Sequence, residues 1–249
     1  MISPPDGTYP PLNTLKPIAD DVWVVDGPVI RFGLPGLRMG FPTRMTVIRL
    51  ADRGLFVHSP TPLVDPLRTE INRIGMVRWI VGPNTIHYWW IPQWRTAFAD
   101  AAVYLAPGIC RRAGRHIDFD TLQLEAADGY PWDDAIATVP MTGSITSEAA
   151  FFHHASATLL LTDLIENFEP QRLHSIWARW LTRLGGAQDP HGSMPRDMRW
   201  TYRHHLPALK AAVERMIGWD PVRIILAHGR WYDRDGAAEL RRAFAWLLH

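Results

Sequence analysis

From residue 45 onward the chain alternates between two kinds of apolar pattern. Strand candidates at 45–50 and 55–58 precede a helical stripe over 65–74, with Leu67, Ile71 and Ile74 on one face. An apolar run at 77–81, a helical stretch at 89–99 and a further strand at 102–105 continue the rhythm. A helix between two strands carries the chain back across the sheet, so the strands it joins lie parallel. This alternation predicts an α/β fold.

The flanks differ. The first 17 residues are rich in proline and read as an irregular N-terminal strap. A short strand at 22–25 has a return at 29–32, and 33–42, with Gly33, Gly36, Gly40, Pro35 and Pro42, reads as a loop or hairpin turn. Runs at 121–124, 135–140, 149–153 and 158–162 are separated by short turns and predict antiparallel strands. Helices come next, over 171–184 and 199–217, where Pro207 either kinks the second helix or sits in its first turn. A strand at 222–227 and an amphipathic helix over 237–248 close the chain.

At 249 residues with 47% hydrophobic and 20% charged residues, the chain supports one large domain or two fused halves. A net charge of +1 gives no strongly basic surface, so no nucleic-acid partner is expected. The single cysteine, Cys110, excludes an internal disulfide framework and a multi-cysteine zinc site, and reads as an incidental thiol. No secretory signal and no transmembrane run is visible, which predicts a soluble cytoplasmic protein without a membrane partner. The 12 tryptophans are expected mostly in core and helix packing.

Phosphate loops, dinucleotide fingerprints, a Gly-x-Ser-x-Gly elbow and His-Glu-x-x-His are all absent. The informative residues are the polar ones at strand ends. His58 ends one strand, Asn84 and His87 come after another through Gly82-Pro83, Asp163 comes after a third, and His228 after the last. In open α/β sheets ligands gather beyond the carboxyl ends of parallel strands. His87, Asp163 and His228 are sufficient for catalytic zinc with an open position or for a facial non-haem iron site. Asp and His also cap turns and helix starts, and the residues alone leave both readings open.

The segments Val57-His-Ser-Pro60, Gly82-Pro-Asn-Thr-Ile-His87, Phe152-His153 with Ser156, Thr158-Leu-Leu-Leu-Thr-Asp163 and Ala227-His228-Gly229 resemble the metallo-β-lactamase fold superfamily. Specifically, they resemble a branch of it that carries a domain-of-unknown-function label. The resemblance runs from about Asp20 to the C-terminus. It implies one domain over 1–249, a four-layer αβ/βα sandwich of two mixed sheets flanked by helices, with the site along one edge. The superfamily's His-x-His-x-Asp-His run falls on Gly82, Asn84, Ile86 and His87, so only its last histidine is present. No histidine stands near 142–144, where the next ligand belongs. The bridging aspartate maps to Asp163 and the final histidine to His228.

The resemblance therefore implies at most one zinc or iron ion on His87, Asp163 and His228, or none. It leaves two functions. One is a mononuclear metal-dependent hydrolase acting on an unspecified small molecule, with His58 or Asn84 placing substrate and His153 supporting the ligands from behind. The other is a non-catalytic binding or scaffold protein that has lost its dinuclear centre. After His87 come Tyr88, Trp89, Trp90 and Trp94. Trp90 and Trp94 share a helical face, and the remaining aromatics are candidates to line an apolar pocket. His204 and His205 are expected on a helix surface.

Overall fold

Successive side chains of a strand point to opposite faces, and this alternation sorts most of the apolar residues into three cores, with a small fourth cluster at Phe168, Leu173 and Ala187. The computed structural model describes residues 7–33, 38–173 and 175–249. Its first sheet takes β1 (Lys16–Ala19), β2 (Val22–Phe32), β3 (Met39–Arg49) and β4 (Gly54–His58) as an antiparallel run. Helix α1 (Asp65–Ile74) then crosses to β5 (Met76–Gly82), and α2 (Ile91–Ala97) to β6 (Ala102–Leu105). After α3 (Ile109–Ala113) and a 3-10 turn, β7 (Leu122–Gln123) completes seven strands, with β4 to β7 all parallel.

The second sheet has four strands. Antiparallel β8 (Ile136–Thr142), β9 (Ser147–His153) and β10 (Thr158–Leu161) come first. Helices α4 (Ile176–Gly185), α5 (Arg196–Thr201) and α6 (Leu206–Gly218) then lead to β11 (Arg223–Leu226), which lies parallel to β10 at the sheet's edge. Helices α7 (Gly236–Ala243) and α8 (Ala245–Leu248) end the chain.

Between the sheets, Val22, Val24, Ile48 and Phe56 meet Trp132, Phe151, Leu160 and Ile225. Residues one step along, Val25, Val47, Leu55 and Val57, face outward onto Leu67 and Ile71 of α1 and Trp94 of α2. Phe152, Leu159 and Leu161 face the other way, onto Leu209, Val213 and Met216 of α6 and Leu240 of α7. The result is helix, sheet, sheet, helix. Two mixed sheets flanked by helices make a four-layer α/β sandwich, the metallo-β-lactamase fold.

Several boundaries depart from the sequence reading. Gly27-Pro28 does not break the second strand, because the ladder absorbs it as a bulge between Asp26 and Val29. The third strand begins at Met39, so Pro42 lies within it; the expected loop's residues 34–37 lie outside the described residues. The strap's last residues, Lys16 and Pro17, open β1, and residues 1–6 lie outside the described residues. The helix expected over 199–217 is two, with Pro207 in the first turn of α6. The helix expected from 171 starts at Ile176; Pro170–Arg172 is a 3-10 turn and His174 lies outside the described residues. Trp79, Trp94 and Trp132 are buried and Trp90, Trp219, Trp231 and Trp246 pack against the cores, as expected of most tryptophans, whereas Trp89, Trp177, Trp180 and Trp200 are exposed. Among the described residues no helix is long and apolar enough to cross a membrane.

Candidate metal centre and its cavity

The carboxyl ends of β4, β5, β10 and β11 meet along one edge of the sandwich. Parallel pairing of β10 with β11 sends Asp163 and His228 out at the same end. Parallel pairing of β4 with β5 does the same for Ser59 and the segment that carries His87. His87, Asp163 and His228 each present one ligand atom, all within 4.8 Å of one another. Asp163 Oδ1 lies 3.2 Å from His87 Nε2 and 3.2 Å from His228 Nε2.

The second ring nitrogens are held from behind. His228 Nδ1 donates to the Pro42 carbonyl at 2.7 Å, which leaves Nε2 of the neutral ring with its lone pair toward Asp163. The edge of Phe41 packs against the same imidazole, 5.3 Å between centroids. His87 Nδ1 lies 2.8 Å from Ser59 Oγ, a hydroxyl that serves either tautomer. Ser59 itself has φ +53°, an uncommon left-handed conformation for a serine, directly behind a ligand-type histidine.

Asp163 is placed by a buried carboxylate that sequence reasoning missed. Glu148 Oε1 accepts the Thr162 amide at 2.7 Å, and Oε2 accepts the Asp163 amide at 2.9 Å. Asn84 Nδ2 also donates to Glu148 Oε2, at 2.8 Å, while its carbonyl oxygen accepts the Ile86 amide. Glu148 and Asn84 thus tie the His87 segment to the Asp163 turn. Asn84 is fully buried and does not line the cavity above the ligand-type residues, so its amide positions backbone and is not aimed at a substrate. In sequence Glu148 stands just before the strand expected at 149–153, and no local signal marks it as buried; the structure extends that strand back to Ser147.

A second strut comes from Arg44. Its Nη1 donates to the carbonyls of Leu226, at 2.7 Å, and Gly229, at 2.8 Å, on either side of His228. Its Nε and Nη2 both lie 2.8 Å from Asp26 Oδ1, and Lys16 Nζ meets Asp26 Oδ2 at 2.8 Å. Gly229 has φ +83°, and a Cβ there would stand 2.2 Å from the Asn167 carbonyl oxygen. Only glycine fits at that turn.

The electrostatics divide the carboxylates. Burial opposes ionisation of Asp163, but the charge and hydrogen bonds of His87 and His228 outweigh it and hold its carboxyl below the usual range. Glu148 is pushed up by burial and then by Asp163. Glu166, on the cavity wall three residues past Asp163, is raised well above the usual carboxylate range by burial and by the charges of Asp163, Asp197 and Glu148. Asp163 Oδ2 is buried with no hydrogen-bond partner.

The remaining predicted residues separate. His58 is buried beneath the site with Nε2 unpartnered, and desolvation with the neighbouring His87 lowers it to about 3. It does not line the cavity. His153 sits at the far end of the sheet. Its strand runs antiparallel to β10 and pairs it with Thr158, at the opposite end from Asp163, where its Nδ1 meets Ser156 Oγ at 2.8 Å. An adjacent strand running the other way removes it from the ligands. Tyr88, Trp89 and Trp90 do line the cavity, whereas Trp94 is core.

That cavity, of about 790 Å³, opens above the three ligand-type residues. Its walls are the β2–β3 ribbon (Phe32, Met39, Phe41), the aromatic segment after His87, and faces of α4 and α5.

Solved metallo-β-lactamases share this architecture and superpose over nearly the whole chain. The DIM-1 metallo-β-lactamase gives a TM-score of 0.61 at 12% identity, covering 94% of this chain and 95% of its own. The FIM-1 enzyme from Pseudomonas aeruginosa, in its mono-zinc form, gives 0.57 at 15% identity, covering 95% and 96%. A metal-soaked flavodiiron core from Synechocystis gives 0.61 at 13% identity, covering 94% of this chain and 60% of that one. No curated protein matches. The chain belongs to the family of the domain of unknown function DUF4336, whose model matches residues 19–199.

Proposed function

We propose that this protein is a mononuclear metal-dependent hydrolase whose ion, zinc or iron, is held by His87 Nε2, Asp163 Oδ1 and His228 Nε2. One observation carries the reading. Asp163 Oδ1 lies 3.2 Å from both imidazole Nε2 atoms, and with Nδ1 of His228 committed to a carbonyl a bound cation would take the place of the Nε2 proton that otherwise meets the carboxylate. The donor set, two imidazoles and one carboxylate with a cavity above, fits such an ion. When bound, the ion supplies a Lewis acid and a water of lowered pKa.

The chain's own residues do the rest. Ser59 and the Pro42 carbonyl fix the two imidazoles, and Glu148 fixes the turn that carries Asp163. The apolar walls hold the body of the substrate and exclude water, which strengthens polar interactions at the cavity floor. Glu166 stands in that wall with its carboxyl raised well above the usual range by burial and neighbouring carboxylates, which suits it to donate a proton to a leaving group. The substrate is therefore a molecule with a sizeable apolar or ring-bearing body and one hydrolysable polar linkage.

A second reading has its own support. The positions of the lost ligands carry Gly82, Asn84 and Ile86, and a protonated imidazole would also satisfy Asp163. In that case the cluster is an ion-paired brace in a non-catalytic binding protein.

Elemental analysis of chelator-free protein, with zinc and iron reconstitution, separates the two. We expect one metal per chain, lost in Asp163→Ala and weakened in His87→Ala, and unchanged in His116→Ala and His153→Ala. Equal metal in wild type and Asp163→Ala overturns the assignment, and no metal after reconstitution selects the brace.

A further inference from the structure

Helix α4 is built inside out. Ser175 caps its N-terminus by accepting the Ala178 amide, and Gly186 ends it in the left-handed conformation. Between them, the face toward the protein is small and polar: Ala178, Thr182 and Gly185. Thr182 is the helix's buried side chain, and its hydroxyl is spent on the Ala178 carbonyl. Trp177, Trp180, Leu181 and Leu184 have the i, i+3, i+4, i+7 spacing of an apolar stripe, and all are exposed, Trp177 to 78%. Ile176 extends the stripe, and Trp200 of α5 is exposed as well. A soluble helix normally turns such a stripe inward, so this one is arranged to be covered from outside.

Charge selects what covers it. Over residues 175–205, Arg179, Arg183, Arg196, Arg199 and Arg203 stand against Asp189 and Asp197, a local excess of three positive charges in a chain whose total is +1. Arg203 lies over the Trp200 ring at 4.0 Å. A second copy seated on this patch by two-fold symmetry would set like charge against like charge. Indole rings interleaved with arginines instead match a helix lying in an anionic lipid interface. The patch is also continuous with the cavity, because Leu181, Leu184 and Trp200 belong to both.

We propose that α4 docks this protein on an anionic lipid surface, with the mouth of the cavity turned toward that surface. Trp177 and Trp180 enter the interface, and the exposed Arg183, Arg196 and Arg203 meet the headgroup phosphates, Arg199 being held instead by the Met194 carbonyl and the Trp246 ring. Docking goes beyond the hydrolase reading and does not depend on a metal.

The test is cosedimentation with vesicles of phosphatidylcholine containing about a quarter phosphatidylglycerol, against phosphatidylcholine alone. Wild type is expected to sediment with the anionic vesicles and to be released by salt. Trp177→Ser with Trp180→Ser should weaken partitioning about 100-fold, tenfold for each lost indole. Arg183→Glu should weaken it about tenfold. All these side chains are exposed, and circular dichroism checks that the variants fold. Asp163→Ala should dock like wild type, so a failed metal assignment leaves this result readable. Wild type that ignores anionic vesicles, or a double tryptophan variant that binds them equally, overturns the proposal. So does a wild-type dimer that the tryptophan variant converts to monomer, since the patch would then be a protein interface.

Discussion

Replacing Arg44 removes a strut of the candidate centre without touching any ligand-type residue. Arg44→Met keeps a similar apolar stem and deletes the guanidinium. Asp26, buried at 4% exposure, then keeps only Lys16, and the carbonyls of Leu226 and Gly229 lose their donor. Breaking a buried ion pair costs about 3–5 kcal/mol, and the surviving Lys16 contact places this case near the lower end. The two stranded carbonyls add about 1 kcal/mol. A loss of about 4 kcal/mol is expected, which at a urea slope of about 3 kcal/mol/M lowers the midpoint by about 1.3 M. Because the same carbonyls flank His228, zinc affinity in a chelator competition should fall about 10- to 100-fold. Adding Asp26→Leu should restore at least half of the lost stability, since two apolar groups leave no stranded charge. A midpoint shift below about 0.3 M with unchanged zinc affinity would show that Arg44 holds nothing, and the strut would be wrong.

Three further outcomes are expected from the same geometry. Gly229→Ala must accept both a left-handed φ and a Cβ against the Asn167 carbonyl, so thermal unfolding should show a loss of at least about 3 kcal/mol; a variant as stable as wild type would mean the turn adapts freely. Glu148→Gln turns an amide NH₂ toward backbone donors and should cost about 2 kcal/mol and weaken metal retention, whereas unchanged urea and metal titrations would remove Glu148 from the support of Asp163. His58 is held at about 3 in the folded protein against 6.5 when unfolded, so between those values the unfolded chain takes up a proton that the native chain refuses. Metal-free stability should therefore fall with acidification, by about 1.4 kcal/mol at pH 5.5 and about 2.7 kcal/mol at pH 4.5. Urea titrations of His58→Leu in chelator should lack that part of the slope, and an identical slope would refute the assignment.

Legibility in the sequence tracks the range of each interaction. Helix α1 was readable to its ends because a proline, an apolar stripe and a terminal glycine are all local signals. The trio of ligand-type residues was readable because each stands just past a strand, and parallel strands deliver their ends to one side. His153 misled because reading a strand's residues does not reveal its direction, and β9 points it away from the edge. Glu148 and Arg44 were invisible for a different reason. Their partners include backbone groups brought in by the fold, Arg44's from over 180 residues away, and a lone charge in a strand looks like a solvent-facing one. The inverted face of α4 was equally hidden, since periodicity gives the stripe and says nothing about which side meets the protein.

The placement of His228 on the last strand has a consequence for biosynthesis. Asp163 and His87 are both translated well before β11, and His228 arrives about 65 residues after Asp163, several seconds later at ribosomal speeds of about 5–20 residues per second. Until then the nascent chain can assemble its first sheet and β8 to β10, but the Arg44 guanidinium has no carbonyls to hold and Asp163 has only one imidazole. The full set of ligand-type residues therefore exists only once β11 is in place, and the same late strand brings Arg44 of the first sheet the carbonyls it holds.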